Sequence, residues 1–254
     1  MTVFLFFAGV LGGALNAVAG GGSFIGLPAL LYAGVAPVAA NATNTFALWP
    51  AAISSAAAYR RDIRTSFKTL VVPGAVSLVG GLIGALLLVR TSDTGFMRLL
   101  PWLMLVAAAT FTFADRLTPR LAPGDATEHH MVAPWAVLLQ FLIAVYGGYF
   151  GGGIGIMMIT TLSIAGMTDI NEVNGLKSIL GATTNGIALV TFIVKGAVTW
   201  FPGLAMMMGA IIGGYAGARL ARKIDPRFVR ALIIVVGWTM TVYFFVSMRT
   251  RAGS

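Results

Sequence analysis

The sequence predicts an all-α polytopic membrane protein with two inverted repeats, each a glycine-broken first segment followed by three transmembrane helices. Of the 254 residues, 58% are hydrophobic and only 10% are charged, whereas soluble domains carry about 25% charged residues. Apolar runs of about 20 residues, long enough to cross a bilayer, recur along the whole chain. Two runs of glycine interrupt apolar segments at corresponding positions of the two halves.

The glycine runs at residues 20–22 and 151–153 are the features around which the prediction is organised. Each glycine in a helix interior costs about 1 kcal/mol relative to alanine, so we expect the helix to stop at each run. A helix can stop at membrane depth only where its freed backbone groups face protein or a polar cavity. Paired breaks in two halves therefore favour the binding site of a secondary transporter.

The order of the segments divides the chain in two. We expect eight apolar segments, of which the first and fifth are broken: 3–34, 38–59, 68–90, 97–115, 133–165, 171–194, 201–221 and 228–248. The longest polar interval separates the fourth segment from the fifth, which gives a first repeat (1–115), a polar linker (116–132) and a second repeat (133–254). Ordered matches between the halves, such as 80–85 with 213–218, favour a duplication.

The distribution of Lys and Arg favours inversion of the two repeats. If all eight segments cross, nine of these residues lie inside and seven outside, which is a poor bias. If each broken segment is re-entrant, eleven lie inside and five outside, as the positive-inside rule requires, and both termini lie outside. The sequence leaves open whether the broken segments are re-entrant or cross fully.

The composition also bears on other classes of function. The net charge of +9 would suggest nucleic acid for a soluble protein, but here the basic residues lie mostly between apolar segments, where they set topology and contact lipid headgroups. The chain has no cysteine, so we expect no disulfide and no thiolate metal site, and we expect no cofactor. The apolar segments hold neither Cys nor His, which argues against an intramembrane enzyme.

Polar residues inside the apolar segments cluster near the two breaks. Positions 174, 178, 181 and 185 share one face of the sixth segment, with Lys177 beside them. The free N–H groups at the start of each second half-helix attract anions, and a lysine adds a full positive charge. The predicted substrate-binding residues are Asn16, Gly21, Gly22, Ser23, Asn41, Asn44, Thr45, Gly152, Gly153, Asn174, Lys177, Ser178 and Asn185.

Several of these residues also have a purely structural interpretation. Asn16, Asn41 and Asn44 can equally form hydrogen bonds between helices. Lys177 lies about 9 Å along its helix from the start of the segment, so it could extend to the membrane surface. The glycines at 80–84 and 209–217 have the spacing that allows close helix packing, and we assign them to that role.

The two glycine breaks and the segments that follow them resemble the sulfite exporter TauE/SafE family, also called the TSUP permeases. The residues that carry the resemblance are Gly-Gly-Gly-Ser-Phe-Ile-Gly-Leu-Pro at 20–28, Ala-Asn-Ala-Thr-Asn-Thr at 40–45, and their second copies at 151–155 and 174–178. The resemblance covers nearly the whole chain. It implies a multi-pass carrier of a bacterial or archaeal cytoplasmic membrane for sulfite, sulfoacetate or other organosulfonates, and it is compatible with proton coupling.

The sequence therefore favours a secondary transporter in which the two repeats alternate around a central anion site. A passive anion channel, or a carrier for another small organic anion, would have a similar sequence. A non-transporting assembly subunit is a further alternative. The oligomeric state is not predicted.

Overall fold

The computed structural model describes residues 1–117, 131–220 and 226–252. These residues form ten α-helices: α1 (Thr2–Ala19), α2 (Ser23–Tyr32), α3 (Pro37–Ala58), α4 (Phe67–Arg90), α5 (Asp93–Leu117), α6 (Pro134–Tyr149), α7 (Ile154–Ile164), α8 (Ile170–Val194), α9 (Trp200–Leu220) and α10 (Pro226–Ala252). The predicted breaks are confirmed, because the first and fifth apolar segments each form two helices. Most of the predicted linker, residues 118–130, lies outside the described part of the chain.

The start of α5 differs from its prediction. The apolar pattern begins at residue 97, but the helix begins at Asp93. Ser92 precedes it, and its Oγ accepts a hydrogen bond from the Gly95 N–H (3.1 Å). Such a cap satisfies a free N–H of the first turn. A polar first turn is therefore stable here. A prediction based on the run of apolar residues misses this turn.

Glycine has a backbone role at each break. Gly20 follows α1 with a φ of 79°, and Gly153 precedes α7 with a φ of 82°. L-residues with side chains rarely adopt these left-handed values, whereas glycine adopts them readily. Each helix can thus end abruptly, and the chain leaves in a new direction.

Each broken segment folds back as a helical hairpin. The rings of Phe4, near the start of α1, and Tyr32, at the end of α2, have centroids 5.5 Å apart. In the second half, Met131 lies before α6 and packs in one apolar cluster with Leu162 and Ala165 at the end of α7. The two ends of each hairpin therefore lie at the same end of the molecule, as the re-entrant interpretation predicts.

The two hairpins open toward opposite ends of the molecule, which we call face A and face B. Face A holds Tyr32 and Asp93, whose Oδ1 accepts the N–H of Val38 (2.8 Å). Face B holds Glu172, whose Oε1 accepts the N–H of Thr65 (2.7 Å). The first hairpin opens toward face A and the second toward face B.

Corresponding helices of the two halves pack in antiparallel directions. In α3 and α8, Trp49 Nε1 donates to the Ala182 carbonyl (3.0 Å), and further along α3 the Ser55 and Ser178 hydroxyl oxygens are 3.0 Å apart. The helices α5 and α10 are likewise antiparallel. Inverted repeats produce this arrangement, although the division of the chain into such repeats and their placement across a membrane stay predictions.

Glycines bring the hairpins into close contact with helices of the opposite half. The helix α1 packs in parallel on α9, and α6 packs in parallel on α4. A Cβ atom on Gly213 would collide with the Val10 carbonyl, and one on Gly84 would collide with the Val145 carbonyl. The packing role assigned to these glycines is therefore confirmed.

The outer surface is suited to lipid. Four helices in the described residues are long and apolar enough to cross a membrane, at Phe67–Arg90, Asp93–Ala114, Ile170–Val194 and Ala231–Met248. Large apolar side chains are exposed on them, for example Val79 at 53% and Val242 at 57%. The chain is thus a multi-pass helical membrane protein.

We predict that Gly213→Ala destabilises the fold whereas Gly74→Ala does not. The first substitution overpacks the contact between α1 and α9, at a cost of about 1–3 kcal/mol. A Cβ on Gly74 meets nothing within 4 Å, and alanine favours the helix. Thermal unfolding in detergent measures both variants. Equal midpoints for the two would contradict the close packing.

The inverted arrangement predicts which single cysteines an impermeant maleimide labels in intact cells. The chain has no native cysteine, so Thr94→Cys and Lys195→Cys report face A, and Arg61→Cys reports face B. We expect the first two to be labelled from outside and Arg61→Cys only after lysis. Labelling of Thr94→Cys and Lys195→Cys from opposite sides would contradict the arrangement.

Candidate functional site

A small polar cavity lies where the tips of the two hairpins meet. Its volume is about 40 Å³, and it is lined by Asn16, Gly20, Ala52, Ser55, Gly151, Ile154, Gly155, Lys177, Ser178, Gly181 and Asn185. The two tips are in contact, because a Cβ atom on Gly20 would lie 3.0 Å from the Gly155 Cα. Both glycine breaks therefore border one cavity between α3 and α8.

Lys177 is the charged residue of this cavity. It lies in the second turn of α8 and is only 6% exposed, so its side chain does not extend to the surface. Within the described part of the chain, Nζ has neither a hydrogen bond nor an ion pair. An unpaired buried charge costs several kcal/mol. The cavity therefore holds a positive charge that the surrounding protein does not compensate.

The N-terminus of α7 adds partial positive charge to the same cavity. Ile154 and Gly155, the first two residues of α7, line it. The first N–H groups of a helix have no intrahelical acceptor, and no side chain caps this terminus. Since free N–H groups and the helix dipole both attract negative charge, this terminus and Lys177 together favour an anion.

Neutral polar groups complete the lining. The Ser178 hydroxyl donates to the Asn174 carbonyl (2.7 Å), so in the pair with Ser55 the Ser55 hydroxyl is the donor. Asn16 and Asn185 contribute amide groups from α1 and α8. Amide N–H groups can donate to the oxygen atoms of a bound anion without a change of charge.

Large side chains pack between α3 and α8 on either side of the cavity. Toward face A, the Trp49 indole lies one turn from Ala52 and would be 3.2 Å from a Cβ atom on Gly186. Toward face B, Tyr59 and Ile63 pack against Gly175, one turn beyond the serine pair. These side chains therefore flank the cavity within the α3–α8 interface.

The structure brings part of the predicted site together here. Of the predicted residues, Asn16, Lys177, Ser178 and Asn185 line the cavity. The remaining glycines border other groups: Gly21 lies near Ile233, Gly22 near Gly12, Gly152 near Phe150 and Gly153 near Ala107.

The predicted residues of the first half form a separate cluster around the start of α2. Asn44 Nδ2 donates to the Ser23 hydroxyl (3.0 Å), and Thr45 Oγ1 donates to the Asn41 carbonyl (3.1 Å). Asn41 Nδ2 donates to the Tyr149 carbonyl at the end of α6 (2.9 Å). Of the two half-helix starts, that of α7 borders the cavity and that of α2 does not. The first hairpin instead contributes Gly20, at the C-terminal end of α1.

Two acceptors in this cluster are unsatisfied. Asn41 and Asn44 are each 1% exposed, and the Oδ1 atom of each lacks a hydrogen-bond donor among the described residues. The Tyr149 carbonyl fixes the orientation of the Asn41 amide, since it can only accept. Leaving such a group without a donor costs about 1–3 kcal/mol. The cluster can therefore lower its energy by accepting a hydrogen bond from a ligand or a water molecule.

Ser55 lines the cavity but was not predicted. It lies on the face of α3 that Asn41 and Thr45 begin, since positions 41, 45, 48, 52 and 55 follow the helical repeat. Extending that face by three turns would have identified it.

The chain matches the sequence model of a family described as sulfite exporter TauE/SafE, over residues 5–244. It is 28% identical to the Probable membrane transporter protein YfcA of Escherichia coli K12, covering 93% of this chain and 87% of that protein. A Probable membrane transporter protein of Haemophilus influenzae is 26% identical, with 93% and 91% covered. YunE of Bacillus subtilis, with the same description, is 22% identical, with 92% and 95% covered. No solved structure matches the chain.

We predict that Lys177→Met stabilises the protein while it abolishes anion binding. Removing the unpaired charge lowers the cost of burial, and a gain of 1 kcal/mol raises the unfolding midpoint by about 2–4 °C. Thermal unfolding in detergent, with and without sulfite, measures both effects. The exposed Lys195→Met is the matched control and should retain the stabilisation by sulfite. A less stable Lys177→Met would indicate that the lysine has a structural partner.

Proposed function

Because the chain belongs to the sulfite exporter TauE/SafE family, we propose that it is a secondary transporter of a cytoplasmic (inner) membrane for a small sulfur-containing anion. The observation that carries the proposal is the buried, unpaired Lys177 in the cavity at the tips of the two hairpins. A charged residue at membrane depth normally faces a substrate pathway or a partner. Here the partner is the transported anion.

The electrostatic contribution of Lys177 can be large enough to select anions. Two unit charges 4 Å apart attract by about 4 kcal/mol at an effective dielectric constant of 20. At 1.4 kcal/mol per factor of ten, this corresponds to about a thousandfold in affinity. A neutral solute gains nothing from the lysine, so the charge discriminates between anions and uncharged molecules.

The size of the cavity favours a compact anion. A volume of about 40 Å³ accommodates only a few water-sized atoms. A single sulfur atom with its oxygens is close to this limit, so sulfite is the sulfur-containing anion that this cavity fits best. Sulfoacetate and other organosulfonates require the cavity to widen, which movement of α3 away from α8 would allow.

Alternating access would move bundles that mix the two repeats. The helices α1 and α2 pack with α3 and α9, and α6 and α7 pack with α8 and α4. Glycine contacts fix α1 to α9 and α4 to α6, so each bundle takes one helix from the other repeat. The α3–α8 interface, with Trp49 and the pair of Ser55 and Ser178, lies between the bundles and is where the cavity would open.

Two alternatives give different results in transport assays. A passive anion channel would have a similar cavity but could not concentrate its substrate. A carrier for another small organic anion, such as a short carboxylate, would use Lys177 in the same way. Both alternatives place the anion at the same site, so one preparation of proteoliposomes tests them.

In proteoliposomes we expect a pH gradient, acidic outside, to drive sulfite above its equilibrium concentration. A protonophore should abolish the accumulation, and Lys177→Met should slow uptake by at least about 100-fold, given the loss of about 4 kcal/mol. Uptake that only reaches equilibrium would indicate a channel. Accumulation of acetate but not sulfite, beyond the accumulation in protein-free liposomes, would indicate the other carrier. Thiosulfate and sulfoacetate complete the comparison.

The same assay tests the moving interface through the Ser55→Cys, Ser178→Cys double variant. The native hydroxyl oxygens are 3.0 Å apart, so oxidation should form a disulfide that holds α3 against α8 and stops uptake. Reduction should restore the rate to that of the unoxidised variant, and the two single variants control for the loss of each hydroxyl. Unchanged transport by the cross-linked protein would contradict opening at this interface.

A further inference from the structure

A long groove runs along the outer surface between the first hairpin and α10. Three cavities of about 420, 360 and 330 Å³ form it. The first two share Pro28, Tyr32 and Tyr243, and the second and third share Phe244 and Ser247, so the three are continuous. The groove is distinct from the anion cavity, since the two have no lining residue in common.

The lining changes along the groove from apolar to charged. The deep end, near the hairpin tip, is lined by Leu11, Phe24 and Met240. Tyr32 and Tyr243, which are 75% and 60% exposed, lie in the middle. The end at face A is lined by residues that include Asp93, Thr94 and Arg98. Acyl chains, the membrane interface and lipid headgroups follow one another in the same order across a leaflet.

The length of the groove also corresponds to one leaflet. On α10 its lining extends from Val236 to Met248, which is about 18 Å at 1.5 Å per residue. Half of a typical hydrocarbon core is about 15 Å. An acyl chain that follows α10 to the hairpin tip would therefore place its headgroup beside Arg98.

We propose that this groove binds one glycerophospholipid, with an acyl chain between the first hairpin and α10 and its phosphate at the Arg98 guanidinium. Guanidinium groups bind phosphate in a bidentate manner. The Asp93 carboxylate, which accepts the Val38 N–H, lines the same end of the groove. A carboxylate beside the phosphate favours a headgroup with an ammonium, so the lipid is phosphatidylethanolamine rather than phosphatidylglycerol.

The bound lipid would support the first hairpin from its outer side. The helix α2 has only ten residues and packs on α10 through a limited contact that includes Phe24 with Gly237. The acyl chain fills the remaining space between the two helices. The site thus contributes to the stability of the hairpin and does not contact the transported anion.

Native mass spectrometry of the full-length protein tests the site with phosphatidylethanolamine and phosphatidylglycerol of identical acyl chains. We expect one tightly retained phosphatidylethanolamine, with phosphatidylglycerol bound more weakly. Arg98→Gln should weaken retention about tenfold. Arg90→Gln, an exposed arginine near face A that does not line the groove, is the matched control and should have no effect. Asp93→Asn should remove the preference between the two lipids.

Three results would overturn the proposal: no retained lipid, equal losses for Arg98→Gln and Arg90→Gln, or equal retention of the two lipids by the unmodified protein. The stabilisation by sulfite is measured on the same samples. It should persist in Arg98→Gln and disappear in Lys177→Met, so failure of the lipid site and failure of the anion site are distinguishable.

Discussion

A helix that ends inside a membrane leaves backbone groups that lipid cannot satisfy, and the rest of this structure depends on how they are satisfied. At the end of α6, the Asn41 side chain donates to the Tyr149 carbonyl. At the start of α7 no side chain caps the terminus. The start of α2 also lacks a side-chain cap, but the start of α7 lines the cavity that holds Lys177. We therefore place the proposed anion beside α7.

The positions of the hairpins are fixed by helices from the opposite half of the chain. Backbone contacts at glycine, such as Gly213 with Val10, leave no space for a side chain, so α1 and α9 are held in close contact. The α3–α8 interface is different, because it contains a cavity, two hydroxyls and an indole rather than close backbone contacts. This difference in packing is why the proposed mechanism opens the α3–α8 interface and not the α1–α9 interface.

The sequence was sufficient to predict the breaks, since glycine has a large and local effect on helix stability. It also placed Lys177, Ser178 and Asn185 together, because helical periodicity relates residues of one helix. It could not show that Ser23 binds Asn44 or that Asn16 borders the second hairpin. Those contacts depend on how distant helices pack, which periodicity within one segment does not determine.

The asymmetry between the two clusters has an electrostatic basis. Asn44 and Lys177 are 133 residues apart and would occupy corresponding positions in the two predicted repeats. A lysine at both positions would place two unpaired charges in the membrane, each costing several kcal/mol, and they would repel each other. Asparagine binds the nearby Ser23 without that cost. In the proposed mechanism a single lysine beside the start of α7 attracts the anion, and the cluster around Asn44 needs no charge.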